Sequence, residues 1–137
     1  MGARTKARRR AVDLLFEAES RGLNAGDLAR DRVVTPVTPA PLNEYTVTAV
    51  TGVVAHWNDI NDALTTYSRG WTLDRMPDVD RAILRLGTRE ILFSDDVPDE
   101  VAVSEAVVPA TELSTDESPK FINGLLARIV EVKPTLV

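Results

Sequence analysis

Hydrophobic and polar residues alternate along this chain at the spacing of α-helices. The clearest case runs from Asp78 to Phe93, where steps of 100° per residue leave one polar stripe on an otherwise apolar surface, formed by Arg81, Arg85, Thr88 and Arg89. Pro77 suits the start of a helix, and the acids of the first turn favour its dipole. Because such a helix must be surrounded by others, we expect it at the centre of the fold.

The same periodicity predicts further helices on both sides of this central one. We expect them at about residues 3–20, 24–34, 43–68, 103–113 and 118–133, with a helical turn at 71–76. Asn58-Asp59 is expected to break or bend the third, Pro109 to kink or end its helix, and Pro134 to stop the last. No stretch alternates with a period of two. The chain is therefore predicted to be all-α, a compact bundle of about seven helices forming a single domain over residues 1–137.

Glu90 is the one carboxylate projected into the middle of the apolar face of the central helix. Its projected neighbours are Val79, Ile83 and Leu86. Since an unpaired buried carboxylate is costly, we expect Glu90 to be buried and hydrogen-bonded, with a structural rather than a catalytic role.

Composition narrows the functional class. There is no cysteine and only one histidine, His56, interpreted as a partly buried structural residue. A disulfide framework and a thiolate or histidine-rich metal site are therefore excluded, and we expect neither metal nor cofactor. No phosphate-binding glycine loop or nucleophile and base arrangement is present, which predicts a binding protein rather than an enzyme. No apolar run approaches the ~20 residues that span a bilayer, so a cytoplasmic protein without a membrane partner is expected.

The net charge of −5 conceals a strong asymmetry. Five basic residues and no acid lie within the first ten residues, which we call the basic arm: Arg4, Lys6, Arg8, Arg9 and Arg10. The other 127 residues carry 11 basic and 21 acidic side chains, a net charge of −10. Taken alone, the arm is either a solvated terminus or a phosphate-binding segment of the kind that arginine-rich sequences form on RNA. The acidic body suits a basic protein partner.

Several ordered motifs resemble the bacterial transcription antitermination factor NusB family. They are DRAILRL at 80–86, EIL at 90–92, DDVP at 95–98, SEAV at 104–107 and ESPKFINGLL at 117–126. The resemblance implies two packed helical subdomains, no catalysis, and a heterodimer with NusE, the ribosomal small-subunit protein. That complex would bind boxA RNA and help RNA polymerase read through terminators in ribosomal RNA operons. A homodimer is a further possibility in this family.

The resemblance also implies the site residues. RNA is expected to contact the basic arm, two aromatic residues and the start of the last helix, that is Arg4, Lys6, Arg8, Arg9, Arg10, Phe16, Tyr67, Glu117, Ser118, Lys120 and Phe121. NusE is expected at the start of the central helix and the turn before it, on Asp74, Asp78, Asp80 and Arg81, with Asp80 taken as an exposed first-turn acid. For Phe121, core packing stays open as the alternative to stacking on a base.

Two alternatives remain at this point. One is the NusB-like RNA-binding domain that precedes the catalytic domain of some ribosomal RNA cytosine methyltransferases. Because no methyltransferase sequence follows Val137, we expect this alternative not to apply. The other is a purely protein-binding helical homodimer with an inert basic arm. The chain departs from the family at Pro109, at the Ser118-Pro119 pair and in the proline-rich 23–42 segment.

Overall fold

A computed structural model describes residues 2–136. Over that range the chain forms seven α-helices and one short 3-10 helix, with no strand, so the all-α prediction is confirmed. The α-helices are α1 (Ala3–Arg21), α2 (Ala25–Val34), α3 (Glu44–Ala55), α4 (Trp57–Tyr67), α5 (Asp78–Phe93), α6 (Asp99–Leu113) and α7 (Ser118–Leu136), and the 3-10 helix is Leu73–Arg75.

α5 lies at the centre, as its apolar circumference predicts. It packs against α1 and α3 on one side and against α4, α6 and α7 on the other. Its residues Leu84 and Ile91 are fully buried, and so are Ile122 and Leu126 on the facing side of α7. The first three helices pack on one another, and α6 and α7 pack closely together, so α5 joins two groups of helices into one core.

Local side chains and one glycine set the ends of the early helices. Oδ1 of Asn24 accepts a hydrogen bond from the backbone N–H of Asp27 at 3.0 Å. Oδ1 of Asn43 likewise accepts one from the backbone N–H of Tyr45 at 2.8 Å, so each asparagine caps the helix that follows it. α1 ends at Gly22, whose φ of 67° lies in the left-handed region that glycine adopts without a steric cost. The predicted ends of these segments are therefore confirmed to within a residue or two.

One predicted interruption lies at a different residue in the structure, and two predicted helix ends at prolines do not occur. The break between α3 and α4 falls at His56, whose ring stacks on Phe93 with centroids 3.9 Å apart, and not at Asn58-Asp59. α6 passes through Pro109 and ends at Leu113, and α7 passes through Pro134 to Leu136. A proline in either helix removes one backbone donor, yet both helices continue past it, and Pro109 and Ala110 are buried.

Gly52 in the middle of α3 makes room for a side chain of α5. A Cβ atom at Gly52 would lie 2.9 Å from Cζ of Arg89, closer than real Cβ atoms come. The guanidinium of Arg89 therefore lies directly against the backbone of α3. Glycine costs helix stability of about 1 kcal/mol relative to alanine, which is the cost of this close approach.

Glu90 is 1% exposed and hydrogen-bonded, so its predicted burial is confirmed. Nε of Arg8 donates to its Oε2 at 2.9 Å and to its Oε1 at 3.1 Å, and the Tyr45 hydroxyl also donates to Oε2. The donors are thus side chains from α1 and α3 rather than the end of a neighbouring helix. One carboxylate holds three helices together at the centre of the fold.

We expect Glu90→Ala to lower the free energy of unfolding by about 3 kcal/mol, because it removes the nearer of the two carboxylates that face the buried guanidinium of Arg8 and leaves only the more distant Glu105. For a domain of this size that corresponds to a fall in melting temperature of about 10 °C. The control is Glu112→Ala, which removes a partly exposed pair with Arg9 and should cost no more than about 1 kcal/mol. Equal shifts in thermal melts of the two variants would contradict a dominant role for the buried pair.

Candidate functional site

The basic arm is the first turns of α1, not a tail that precedes it, because helical structure begins at Ala3. Successive residues of a helix are 100° apart, so the five cations point in different directions. Each therefore has its own environment.

Arg8 points inward and is 6% exposed. Besides Glu90, its guanidinium meets Glu105 of α6, with Nη1 3.6 Å from Oε1. The expectation that Arg8 contacts RNA phosphates is wrong in this conformation, since its donors face two internal carboxylates. The sequence suggests one charged cluster at residues 8–10, but in the helix the side chain of Arg8 points into the core.

Arg4 and Arg9 lie at the surface, but each has an internal partner. Cζ of Arg4 is 3.8 Å from the ring centroid of Tyr45, and its Nη1 is 3.8 Å from Oδ2 of Asp96. Nη1 of Arg9 donates to Oε2 of Glu112 in α6, and Nε of Arg9 lies 4.0 Å from Oδ1 of Asp13. A phosphate would have to compete with these carboxylates.

Lys6 and Arg10 are the cations of the arm that make no ion pair within residues 2–136. Both line a cavity of about 440 Å³ between α1 and the segment that leads into α3, together with Ala40, Pro41, Leu42 and Asn43. Lys6 is exposed and Arg10 half-buried. These two side chains are the part of the arm most readily available to an anionic ligand.

A second basic cluster surrounds the start of α7. Its cavity of about 580 Å³ is lined by Arg69, Asp116, Glu117, Lys120, Phe121, Gly124 and Arg128. The structure thus brings together three of the predicted site residues, Glu117, Lys120 and Phe121. Phe121 is half-buried with its ring edge-to-face with Trp71 at 4.8 Å, so it packs on the core and still lines the cavity.

Sequence reasoning missed Arg69 and Arg128 in this cluster. Arg128 lies eight residues after Lys120 on the same face of α7, and its Nε donates to the backbone oxygen of Tyr67 at 3.0 Å. Arg69 follows the predicted 43–68 helix, and its local spacing gives no sign that it lies near α7. The spacing of Lys120, Gly124 and Arg128 at four-residue intervals was the signal that could have found Arg128.

Ser118 belongs to the interior and not to this cavity. It is 0% exposed, and its hydroxyl donates to Oγ of Ser114 at 3.0 Å. A direct contact of its side chain with RNA, as expected from the resemblance, is therefore wrong in this conformation. Its position in the first turn of α7 turns the hydroxyl back towards the end of α6.

The two other predicted aromatic residues lie apart from the cluster. Phe16 is 38% exposed on α1, seven residues after Arg9 and hence on the same side of the helix. Tyr67 lines a separate cavity of about 280 Å³ between α4, α5 and α7. Only the backbone of Tyr67 reaches Arg128.

The predicted partner surface divides into exposed and buried members. Asp74 and Asp78 are exposed, and a hydrogen bond from the Thr72 hydroxyl lowers the pKa of Asp74. Asp80 is 0% exposed, so the expectation that it is an exposed first-turn acid is wrong. It accepts a hydrogen bond from Ser114 at 2.5 Å instead, because its position in the turn faces the end of α6.

Arg81 secures the short 3-10 helix to the rest of the fold. Its guanidinium donates to the backbone oxygens of Met76 at 2.7 Å and Leu73 at 3.1 Å, and to Oε1 of Glu19 at 2.9 Å. Only about an eighth of the side chain is exposed. Arg81 therefore positions the acidic turn that carries Asp74 more than it presents a charge of its own.

Residues 2–136 hold no cluster of three or more His, Cys, Asp or Glu side chains that could bind a metal ion. Among the helices of that range, none is long and apolar enough to cross a membrane.

The family model described as the NusB family matches residues 5–131, and the chain therefore belongs to the NusB family. The transcription antitermination protein NusB of Kineococcus radiotolerans is 60% identical over 136 residues, which cover 99% of this chain and 98% of the relative. That of an Arthrobacter species is 59% identical over 137 residues, covering 100% and 99%. The prediction from the five sequence motifs is confirmed, and the chain falls in a class of antitermination proteins rather than enzymes.

Solved structures agree with this assignment. A NusB structure from T. maritima has a TM-score of 0.82 at 30% identity, covering 95% of this chain and 92% of that one. A second, a crystal structure of the antitermination factors NusB and NusE in complex with double-stranded RNA, has a TM-score of 0.80 at 26% identity, covering 94% and 96%.

Burial, followed by the hydrogen bond to Glu90, raises the pKa of Tyr45 to about 12. A raised pKa means that the neutral phenol is favoured in the folded protein. The stability that Tyr45 contributes is therefore complete below its ordinary pKa of about 10 and is lost as the pH rises through about 12. We expect the difference in unfolding free energy between the parent and Tyr45→Phe to be constant up to about pH 9 and to shrink above pH 10.

Denaturant titrations at several pH values measure that difference. Tyr67→Phe serves as the control for loss of a tyrosine hydroxyl outside the Glu90 cluster. A constant difference between pH 9 and pH 12 would contradict the shifted titration of Tyr45.

Proposed function

We propose that this protein is a transcription antitermination factor that binds boxA-type single-stranded RNA together with NusE and promotes read-through of ribosomal RNA operons. The observation that carries the proposal is the pair of basic clusters, Lys6 with Arg10 on α1 and Lys120 with Arg69 and Arg128 around α7. Such cations hold phosphates, and an aromatic ring at the same surface, here Phe121, stacks on unpaired bases.

NusE is proposed to dock on the exposed acids of the turn before α5, Asp74 and Asp78. Its basic character complements the acidic body, whose net charge is −10 outside the arm. Docking there would reduce the repulsion between this body and RNA and extend the positive surface along the strand. A solved relative forms a complex with NusE and double-stranded RNA, which supports the NusE and RNA parts of the proposal but not the preference for a single strand.

The purely protein-binding homodimer, with an inert arm, is the second candidate. It would leave the two cavities without a ligand and predicts no salt-dependent RNA binding. The methyltransferase-associated domain is disfavoured, because relatives matched over nearly their whole length are antitermination proteins.

The first test uses the salt dependence of RNA binding. Each phosphate contact on a single strand contributes about 0.7 to the slope of log K against log salt concentration, so Lys6→Ala with Arg10→Ala should flatten the slope by about 1.4. The matched control is Arg21→Ala with Arg30→Ala, which removes the same charge from two exposed side chains paired with Glu17 and Asp27.

Fluorescence anisotropy of a labelled boxA RNA between 50 and 200 mM salt gives both slopes. Equal slopes in the two double variants would mean that net charge, and no contact made by the arm, sets the salt dependence. A hairpin duplex of the same base composition, titrated in parallel, shows whether the site prefers a single strand.

The second test concerns the partner. RNA affinity should rise on addition of NusE, and by linkage RNA should tighten the protein pair by the same factor. Asp74→Lys with Asp78→Lys should remove this rise and leave RNA binding by the protein alone equal or slightly stronger, since two negative charges are replaced by two positive ones. The control, Glu100→Lys with Glu131→Lys, reverses two exposed acids on other helices. If NusE increases the affinity equally in both variants, its docking surface lies elsewhere.

A further inference from the structure

Asp80 is a carboxylate with no exposed surface in the first turn of α5. Its Oδ1 accepts a hydrogen bond from the Ser114 hydroxyl at 2.5 Å, and its Oδ2 is buried without a partner among the described residues. Burying a carboxylate is costly unless it is compensated, although the dipole of α5 favours a negative charge at this position. A group buried at that cost is expected to have a specific task.

The hydrogen bonds continue from Ser114 into the start of α7. Ser118 Oγ donates to Ser114 Oγ at 3.0 Å and lies 2.7 Å from Oγ1 of Thr115. A hydroxyl has one proton to donate. Because Ser114 gives its proton to Asp80 and Ser118 gives its proton to Ser114, Thr115 must be the donor to Ser118. The carboxylate thus fixes the direction of a chain of three hydroxyls.

These hydrogen-bonded hydroxyls span the whole turn between α6 and α7. Ser114 directly follows the end of α6, Ser118 is the first residue of α7, and the backbone N–H of Ser118 donates to the backbone oxygen of Thr115 at 3.1 Å. Glu117 and Lys120, on either side of Ser118, face the cavity of the second basic cluster. The orientation of that cluster depends on how this turn is held.

We propose that Asp80 is a positioning residue for the RNA surface: acting through Ser114 and Ser118, it holds the 114–118 turn so that Lys120 and Phe121 face the ligand. This inference rests on the proposed function. It gives Asp80 a role different from the partner contact that its sequence position suggests, because a side chain without exposed surface cannot touch a docked protein in this conformation.

The first measurement needs no RNA. Amide hydrogen exchange of the free protein should show that Asp80→Ala and Ser114→Ala speed the exchange of the Ser118 N–H about tenfold while amides in the middle of α5 stay protected. The controls are Glu100→Ala, an exposed first-turn acid of α6, and Ser104→Ala, an exposed serine of the same helix. Unchanged exchange at Ser118 would overturn the proposal.

The second measurement is the dissociation constant for the labelled boxA RNA. We expect Asp80→Ala and Ser114→Ala each to weaken binding about tenfold and the double variant to bind no worse than either, since both break the same chain. Asp80→Asn keeps an oxygen that accepts from Ser114 and should recover most of the affinity. If Asp80→Ala fails to fold, Ser114→Ala and Asp80→Asn keep the test intact.

Lys120→Ala distinguishes positioning from a loss of stability. In the parent it should weaken binding, whereas in the Asp80→Ala background it should change binding little, because Lys120 is no longer held towards the RNA. Full additivity of the two changes would overturn the positioning role.

The remaining outcomes separate the two proposals. If the parent binds RNA and Asp80→Ala binds it equally well, this inference fails and the proposed function stands. A loss of NusE binding alone in Asp80→Ala would restore the partner contact and overturn the inference. If the parent binds no RNA with or without NusE, the proposed function fails and the inference falls with it.

Discussion

The buried ion pair between Arg8 and Glu90 is the interaction on which the rest of the structure depends. Its carboxylate lies on the apolar face of α5, where it is tolerated only because donors from α1 and α3 converge on it. The pair therefore fixes the N-terminal helix against the core. It also decides which cations face outward, because turning Arg8 inward places Lys6 and Arg10 on the opposite side of α1.

Electrostatic competition then decides how much of the basic arm can serve a ligand. The acids of α6 lie along α1, where Glu105 faces Arg8 and Glu112 faces Arg9. Internal partners thus leave two of the five cations without an ion pair to any residue between positions 2 and 136. The cavity at the start of α7 adds three further cations, Arg69 after α4 and Lys120 and Arg128 within α7, so the positive surface is assembled by the fold and not by the terminus alone.

Periodicity predicted most of the fold because helices leave a local signal. The bounds of α5 and the burial of Glu90 both follow from neighbours within a few residues. The NusB motifs then supplied the family. The break at His56 was missed because it depends on stacking against Phe93, a residue of another helix.

The site was harder to predict than the fold, because the burial of a charged side chain depends on distant partners. Arg8 meets a carboxylate 82 positions away, and Asp80 meets a hydroxyl 34 positions away. Neither partner is visible from local spacing, so both residues looked exposed. Arg69 was overlooked for the converse reason, since it joins Lys120 and Arg128 only after α4 and α7 are packed.

The close approach of Arg89 to Gly52 has a consequence for how this sequence can vary. A side chain at position 52 would occupy the space that the guanidinium fills, so a change there is tolerated only when position 89 also becomes smaller or turns away. Positions 52 and 89 are therefore coupled through side-chain packing, although they lie 37 residues apart in the sequence. A larger residue at position 52 therefore requires either a smaller residue at position 89 or a new conformation of the Arg89 side chain.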